Sequence, residues 1–440
     1  MNLFRKITLF AFMVFALAAC DKDGRFSIGS EDPSVPSGSP GRTSTAMTRR
    51  VHLLYSAGYN SLAGYLSEDI GDLCAGTLPG TLSVDDVLLV FSRTTSRSQD
   101  YTTPVSPVLF RLYADTDGEA VRDTLKVWPA DTQASSAAML REVLQEVSVS
   151  FPAKGYGLIF SSHASGWLPE GYYNSPSSFD PDWNASSSWT QGLRLNGTPY
   201  PSMGDPSLPP VKSIGQDAGS PAVEMSLRDF ASAIPFKLDY IIFDACLMGC
   251  VEVAYELRNL AGTLAFSPTE VLAEGLDYKT LSQRLMDNHT PDVVQICKDY
   301  FAYYDAQSGV MNSATISVVD TNALDALAAL CRELFETYRN GLDSVSASQV
   351  QRYYRFSRHW FYDLRDILLH AGLSDADDAR LQAALDEAVI YKAATPRFID
   401  AFAINVYSGL SMYLPSDGSS YLDAYYKGNV SWNDATGLVQ

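Results

Sequence analysis

The feature that most constrains the fold of this chain is an alternation of short apolar segments with amphipathic ones. The apolar segments are β-prone and predict strands at 48–57, 86–93, 157–163, 238–246 and 263–267. Segments 135–149 and 250–260 between them have helical periodicity. Continuous apolar strands are typical of a parallel sheet that is covered on both faces. The alternation therefore predicts an α/β fold with a mainly parallel sheet and helices on both faces.

The C-terminal third has a different pattern. A strand at 313–319 is followed by mostly helical periodicity through residue 394, and 402–406 and 409–414 are again β-prone. We divide the chain into residues 1–20, 21–46, an α/β domain at 47–320 and a helical and strand region at 321–440 that packs on it. Residues 164–226 are rich in Gly, Pro, Ser and Asn, and a connection of that length is typical of functional loops or processing sites.

The N-terminus has the pattern of a secretion signal. Arg5 and Lys6 precede thirteen uncharged, mostly apolar residues, and 17–20 read Leu-Ala-Ala-Cys, similar to a bacterial lipobox. The alternative is an ordinary secretory signal that contains a cysteine. With Cys20 as the lipidation site and 21–46 as a flexible tether, the protein is expected at the bacterial cell envelope, anchored in a membrane by lipid on a periplasmic or surface face.

The net charge argues against one class of partner, and the cysteine count limits disulfide formation. The 440 residues contain 32 Lys and Arg against 51 Asp and Glu, a net charge of −19. This acidity argues against nucleic acid as a partner, because such ligands need clustered basic residues. Of six cysteines, five remain after Cys20, so at least one thiol stays outside any intrachain disulfide.

Two predicted strands end in reactive side chains. One ends at His163 and the other at Cys246, and the carboxyl ends of parallel strands share one edge of the sheet. An imidazole beside a thiol supports nucleophilic catalysis, because the base generates a thiolate that attacks a carbonyl carbon. From residue types alone, a small buried cysteine and a hydrogen-bonded core histidine remain the alternative.

The local sequences decide between these readings. Residues 163–167 (HASGW) and 244–249 (DACLMG) resemble the two active-site motifs of the clostripain-like cysteine peptidases. Further matches occur in family order at 55–62, 213–217, 270–278, 313–320, 362–366, 408–415 and Trp432. The resemblance implies a caspase-like fold, Cys246 as the nucleophile and His163 as general base and acid. It also implies an oxyanion site formed by the N–H groups of Ala164 and Cys246, although the family prefers Gly at position 164.

The resemblance also implies a substrate class. Family members mostly cleave peptide bonds after Arg or Lys, and Asp244 matches the acid of the S1 pocket. Glu274 is a second candidate acid for this pocket, with a solvated surface glutamate as the alternative. Asn60 follows the first strand and is a candidate for substrate binding, although capping of the next helix is favoured.

The resemblance further suggests that the chain is cleaved during maturation. Several relatives cut themselves in the loop between the two motifs, where Lys212 and Arg194 are the candidate processing sites.

No metal or other cofactor is predicted, because the histidines lack zinc-site spacing and the acidic cluster at 375–378 favours a solvated turn; calcium stays possible by resemblance alone. The competing function is a catalytically impaired, peptidase-like surface lipoprotein that binds peptides or partners.

Overall fold

The computed structural model of the protein describes residues 48–83, 85–94, 105–172, 176–180, 224–287, 291–355 and 360–440. Three predicted features lie outside these ranges: the lipidation site Cys20 with its tether, and the processing sites Arg194 and Lys212. In the part of the chain that the structure covers, no helix combines the length and apolarity that a membrane crossing requires.

Nine of the described strands form one central sheet in the order β10-β8-β7-β6-β5-β1-β2-β3-β4. These strands are β1 Thr48–Gly58, β2 Asp86–Thr94, β3 Val108–Ala114, β4 Ala120–Val127, β5 Ala153–Ser161, β6 Leu238–Asp244, β7 Ala261–Phe266, β8 Thr315–Asp320 and β10 Val389–Ala394. The central strands β2, β1, β5, β6 and β7 run parallel, and antiparallel strands flank them on both sides. This mixed, mostly parallel sheet confirms the predicted fold class.

Helices cover both faces of the sheet. Their bounds are α1 Ala63–Ala75, α2 Ala137–Ser150, α3 Pro176–Phe179, α4 Leu227–Ala233, α5 Val251–Leu257, α6 Tyr278–Met286, α7 Val293–Asp305, α8 Leu324–Thr337, α9 Arg339–Leu342, α10 Leu364–His370, α11 Asp375–Ala388, α12 Ser420–Asn429 and α13 Ser431–Thr436. Helices α1, α6 and α7 pack in one layer, whereas α2 contacts α4 and α4 contacts α5 in another. The parallel strands between the layers are buried almost throughout, as their apolar sequences require.

The C-terminal region differs from the prediction in three places. The helical pattern that was expected through residue 394 ends at Ala388, and Val389–Ala394 form β10, which pairs antiparallel with β8. Pairing at the sheet edge here overrides local helical propensity. The segments 402–406 and 409–414 contain only the two-residue strands β12 Phe402–Ala403 and β13 Ser411–Met412, which pair with β11 Arg397–Phe398 and β9 Tyr362–Asp363.

The acidic cluster at 375–378 is also not a solvated turn. It forms the first turn of α11, where Ser374 caps the helix by accepting a hydrogen bond from the Asp377 N–H. Acidic side chains in the first helical turn interact favourably with the positive end of the helix dipole. These carboxylates therefore have a structural explanation within the helix itself.

Candidate active site

The edge of the sheet at the ends of β5 and β6 holds both predicted catalytic side chains. These strands are parallel neighbours, and their register pairs Ser161 with Asp244. His163 and Cys246 each lie two residues beyond that pair, so they leave the sheet at matching positions. Because adjacent strands are about 4.8 Å apart, the fold places the imidazole and the thiol on the same short stretch of the sheet edge.

The imidazole has a polar neighbour that the sequence did not reveal. His163 is buried, and its Nε2 lies 3.1 Å from the Oγ atom of Ser61. Ser61 belongs to the turn between β1 and α1, and β1 is the neighbour of β5 on the side away from Cys246. A hydroxyl at this distance engages Nε2 and restricts rotation of the ring.

Asn60 shapes the turn that carries this serine. The expectation that Asn60 caps the following helix is wrong, because α1 begins at Ala63 and its N-cap residue is Leu62. The Asn60 Oδ1 atom instead accepts a hydrogen bond from the Leu62 N–H at 2.9 Å, and Nδ2 donates to the Ala57 carbonyl oxygen at 3.2 Å. Such a local side-chain-to-backbone turn is a common role of asparagine. Its predicted contact with substrate stays a prediction.

The loop that carries Cys246 is held in a strained conformation. Leu247 has a φ of +63°, in the left-handed region that is unfavourable for a non-glycine residue. Its N–H donates to the Thr269 carbonyl at 2.9 Å, and the Gly249 N–H donates to the Ser267 carbonyl at 2.8 Å. On the other side, the Ser411 N–H donates to the Gly249 carbonyl at 3.0 Å. Contacts from two distant segments thus compensate for the strain beside Cys246.

The Cys246 thiol is covered in this conformation. Its side chain has no solvent exposure. The Val271 N–H donates to Sγ at 3.1 Å, and the thiol donates to the Val271 carbonyl oxygen at 3.6 Å. The segment that follows β7 therefore lies on the sulfur atom.

The loop after β5 packs directly against the loop after β6. Gly166 has a φ of +62°, and a Cβ atom there would lie 2.7 Å from the Leu247 carbonyl oxygen. Glycine is therefore required at position 166, both for its φ and for this close approach. Ala164 has no positive φ, so the alanine at this position causes no backbone strain. The alanine that replaces the family's preferred glycine therefore does not support the alternative of a catalytically impaired protein.

A buried aromatic cluster joins both motifs to the C-terminal region. Trp167 packs edge-on against Tyr413 and Tyr426, with ring centroids 4.9 and 5.0 Å apart. Glu252, in the first turn of α5, accepts hydrogen bonds from the Tyr413 N–H at 2.8 Å and from the Tyr426 hydroxyl at 2.7 Å. Burial raises the pKa of Glu252 to about 7 despite these two donors. The C-terminal region thus contacts both the histidine loop and the helix after the cysteine loop.

Asp244 and Glu274 are the two predicted acids of the S1 pocket. Asp244 is buried and accepts hydrogen bonds from the Ser161 hydroxyl at 3.0 Å and the Tyr278 hydroxyl at 2.7 Å. Glu274 follows β7, and its Oε2 is buried without a hydrogen-bond partner among the described residues. Burial raises the pKa of Tyr304 well above its usual value, and Tyr300, Asp244 and Glu274 raise it further. Both carboxylates therefore contribute to the raised pKa of this buried tyrosine.

The model of the clostripain family matches residues 202–437, which is more than half of the chain. The chain belongs to the clostripain family. It is a cysteine peptidase, and the caspase-like relationship inferred from the two motifs is confirmed. A comparison with curated proteins finds no match.

Solved structures of clostripain-type peptidases have the same fold. An X-ray structure of an inactive zymogen C11 protease from Parabacteroides distasonis is 28% identical, covers 89% of this chain and 99% of its own, and has a TM-score of 0.67. A secreted C11 cysteine protease from Bacteroides thetaiotaomicron, solved in complex with an irreversible peptide inhibitor, is 24% identical and covers 88% of this chain and 98% of its own, with a TM-score of 0.68. At 24% identity, the similarity to the protease from Bacteroides thetaiotaomicron shows a shared fold only.

The described residues of this clostripain-family chain give no ligand set for a metal. Within those ranges, no three His, Cys, Asp or Glu side chains converge on one point. Asp180 is buried and accepts a hydrogen bond from the Tyr172 hydroxyl. The five described cysteines are buried, and no disulfide joins them.

Proposed function

We propose that this clostripain-family chain is an endopeptidase that cleaves after Arg or Lys, with Cys246 as nucleophile and His163 as general base and acid. The observation that carries this proposal is the register of β5 and β6, in which both side chains follow the Ser161–Asp244 pair by two residues. Two distant motifs meet at one sheet edge through this pairing, with two carboxylates beside them.

The chemistry follows from these groups. The imidazole of His163 takes the thiol proton, and the Cys246 thiolate attacks the carbonyl carbon of the scissile bond. The N–H groups of Cys246 and Ala164 are the proposed donors to the oxyanion, a contribution of about 10²–10³ in rate for a single donor. The imidazolium then protonates the leaving nitrogen, and water hydrolyses the thioester to restore the thiol.

Charge supports the basic specificity. Asp244 and Glu274 place two carboxylates near the same tyrosine, in a site where burial strengthens electrostatic interactions. Glu274 has a buried oxygen that the described chain leaves without a donor, which a substrate cation would supply. A guanidinium or an ammonium group supplies both a positive charge and hydrogen-bond donors, whereas an acidic or apolar side chain supplies neither.

The covered thiol supports activation by processing. A substrate must displace the Val271 segment from Sγ, and we propose that cleavage after Lys212 or Arg194 permits this movement. The relative from Parabacteroides distasonis, which is described as an inactive zymogen, makes such a step reasonable for this chain. Lipid anchoring through Cys20 at the bacterial envelope completes the proposal, with a protein or peptide carrying a basic P1 residue as the substrate.

A peptide library analysed by mass spectrometry tests the specificity. We expect cleavage after Lys and Arg by the wild-type protein and none by Cys246→Ala. Cys331→Ala is the matched control, because it removes another buried thiol, on α8 and outside the site. Cuts after acidic or apolar residues would overturn the S1 assignment, and cuts by Cys246→Ala would overturn the assignment of the nucleophile.

Electrophoresis and N-terminal sequencing test the processing step. The wild-type chain should be nicked after Lys212 or Arg194 while Cys246→Ala remains one chain. The same nick in Cys246→Ala would show that another protease makes it. Full activity of an intact wild-type chain would show that processing is unnecessary.

A further inference from the structure

A cavity opens beside the imidazole of His163. It has a volume of about 70 Å³ and includes His163 in its lining. Aromatic and aliphatic side chains form much of its wall: Phe160, Phe243, Phe230, Leu227, Met225 and Met248. Ser135, Ser162 and Ser165 also line it. A cavity of this size admits an apolar side chain of a peptide, and its lining gives such a side chain a favourable environment.

Strand geometry separates this cavity from the proposed S1 pocket. Phe243 and Asp244 are consecutive in β6, so their side chains point to opposite faces of the sheet. Asp244 contacts Tyr278 of α6 on one face. On the other face, the Phe243 ring packs against Phe230 of α4, with centroids 5.5 Å apart, and against Phe160 of β5 at 6.2 Å. The cavity and Asp244 thus lie on opposite faces of the sheet at this edge.

The proposed chemistry identifies which part of the substrate meets the cavity. The group that protonates the leaving nitrogen must lie on the side of the scissile bond that carries the leaving peptide. His163 is that group, and it forms part of the cavity wall. With P1 directed toward Asp244 and Glu274, the residue after the scissile bond passes His163 and reaches the cavity.

Two carboxylates border the cavity. Glu170 is exposed, whereas Glu224 is partly buried and accepts a hydrogen bond from the Gly171 N–H at 2.6 Å. Partial burial raises the pKa of Glu170, and the neighbouring carboxylates of Glu224 and Asp229 raise it further. The neighbouring carboxylates make additional negative charge unfavourable at the mouth of the cavity, which disfavours an acidic side chain entering it.

We propose that this cavity is the subsite for the residue that follows the scissile bond, and that it selects an apolar side chain and rejects an acidic one. The inference rests on the proposed function, because it requires His163 to protonate the leaving nitrogen. It adds a primed-side preference to the basic preference at P1.

Capture of the acyl-enzyme by added amines measures this subsite separately from P1. The full-length protein is supplied with Nα-benzoyl-lysine ethyl ester and with leucinamide, glycinamide, lysinamide or the α-amide of aspartic acid. The amine attacks the thioester carbonyl, a peptide bond forms, and the Cys246 thiol is released. The ratio of peptide product to hydrolysed acid, measured by chromatography, reports how well each amine occupies the subsite.

We expect leucinamide to be captured at least about tenfold better than the aspartic α-amide, the lower end of discrimination by one apolar pocket. Met225→Glu should lower the capture ratio for leucinamide and raise that for lysinamide. Met286→Glu is the matched control, because it makes the same change at a partly buried methionine of α6 outside the cavity, and its ratios should equal those of the wild type. Glu170→Gln, at an exposed position, should raise capture of the aspartic α-amide.

The outcomes separate the two proposals. Equal capture of all four amines by an enzyme that hydrolyses the ester would overturn the subsite and leave the proposed function standing. Equal effects of the Met225 and Met286 substitutions would do the same. Failure of the protein to hydrolyse the ester through Cys246 would remove the proposed function, and the subsite with it.

Discussion

Replacement of Glu252 by Gln should remove a large part of the pH dependence of stability. Glu252 is fully buried, and the donors that the structure describes for it are uncharged: the Tyr413 N–H, the Tyr426 hydroxyl and the thiol of Cys250. An ionised carboxylate in this environment has no cation to compensate for its desolvation. Glutamine keeps an acceptor oxygen for both hydrogen bonds and cannot ionise.

The magnitude follows from proton linkage. The pKa of Glu252 is raised from 4.5 to about 7 in the folded protein. The folded protein therefore holds a proton that the unfolded chain releases, so the contribution to the free energy of unfolding is complete below pH 4.5 and is lost as pH rises through 7. At 1.36 kcal/mol per pKa unit the whole effect is about 3 kcal/mol, of which about 2 kcal/mol falls between pH 5.5 and 8.

Urea denaturation at pH 5.5 and pH 8 measures this contribution. The wild-type protein should lose about 2 kcal/mol more stability between the two pH values than Glu252→Gln. Glu256→Gln is the matched control, because this partly exposed glutamate lies on the same helix and its replacement should leave the pH dependence as in the wild type. An unchanged pH dependence in Glu252→Gln would refute the assignment of a neutral buried carboxyl group.

Three further substitutions test the site. Ser61→Ala removes the hydroxyl beside His163 Nε2 and should lower kcat about fivefold with little change in KM, the value of one hydrogen bond; a change confined to KM would contradict a role in orienting the ring. Gly166→Ala introduces a Cβ atom against the Leu247 carbonyl at a positive φ, so it should destabilise the protein by at least about 1 kcal/mol in thermal unfolding and lower kcat. Ala164→Gly should bring no gain in kcat/KM, because Ala164 has no positive φ for glycine to relieve; a large gain would show that alanine misplaces the oxyanion donor.

The local pattern was sufficient for much of the fold and for the location of the reactive groups. Continuous apolar runs identified the central strands β1, β2, β5, β6 and β7 to within a few residues of their observed bounds. Strand ends in a parallel sheet share one edge, so His163 and Cys246 were expected together before any coordinates were known. The strands were predictable because side-chain periodicity is a local property of the chain.

Local sequence patterns do not predict contacts between distant segments. Strand order places the turn after β1 beside β5, and only this order brings Ser61 to His163, 102 residues away. The partners of Glu252 lie 161 and 174 residues further along the chain. The edge strand β10 was predicted as helix, because its pairing with β8 depends on a segment about 70 residues upstream.

The sequence by itself determined the class of fold, the two reactive strand ends and, through its motifs, the peptidase family. The tertiary structure decided what surrounds those ends: the serine on the imidazole, the Val271 segment on the thiol, Asp244 on one face and a cavity on the other. The physical reason is that propensity and periodicity are encoded by neighbouring residues. Burial, desolvation and close approach arise only when strand order and packing bring remote residues together.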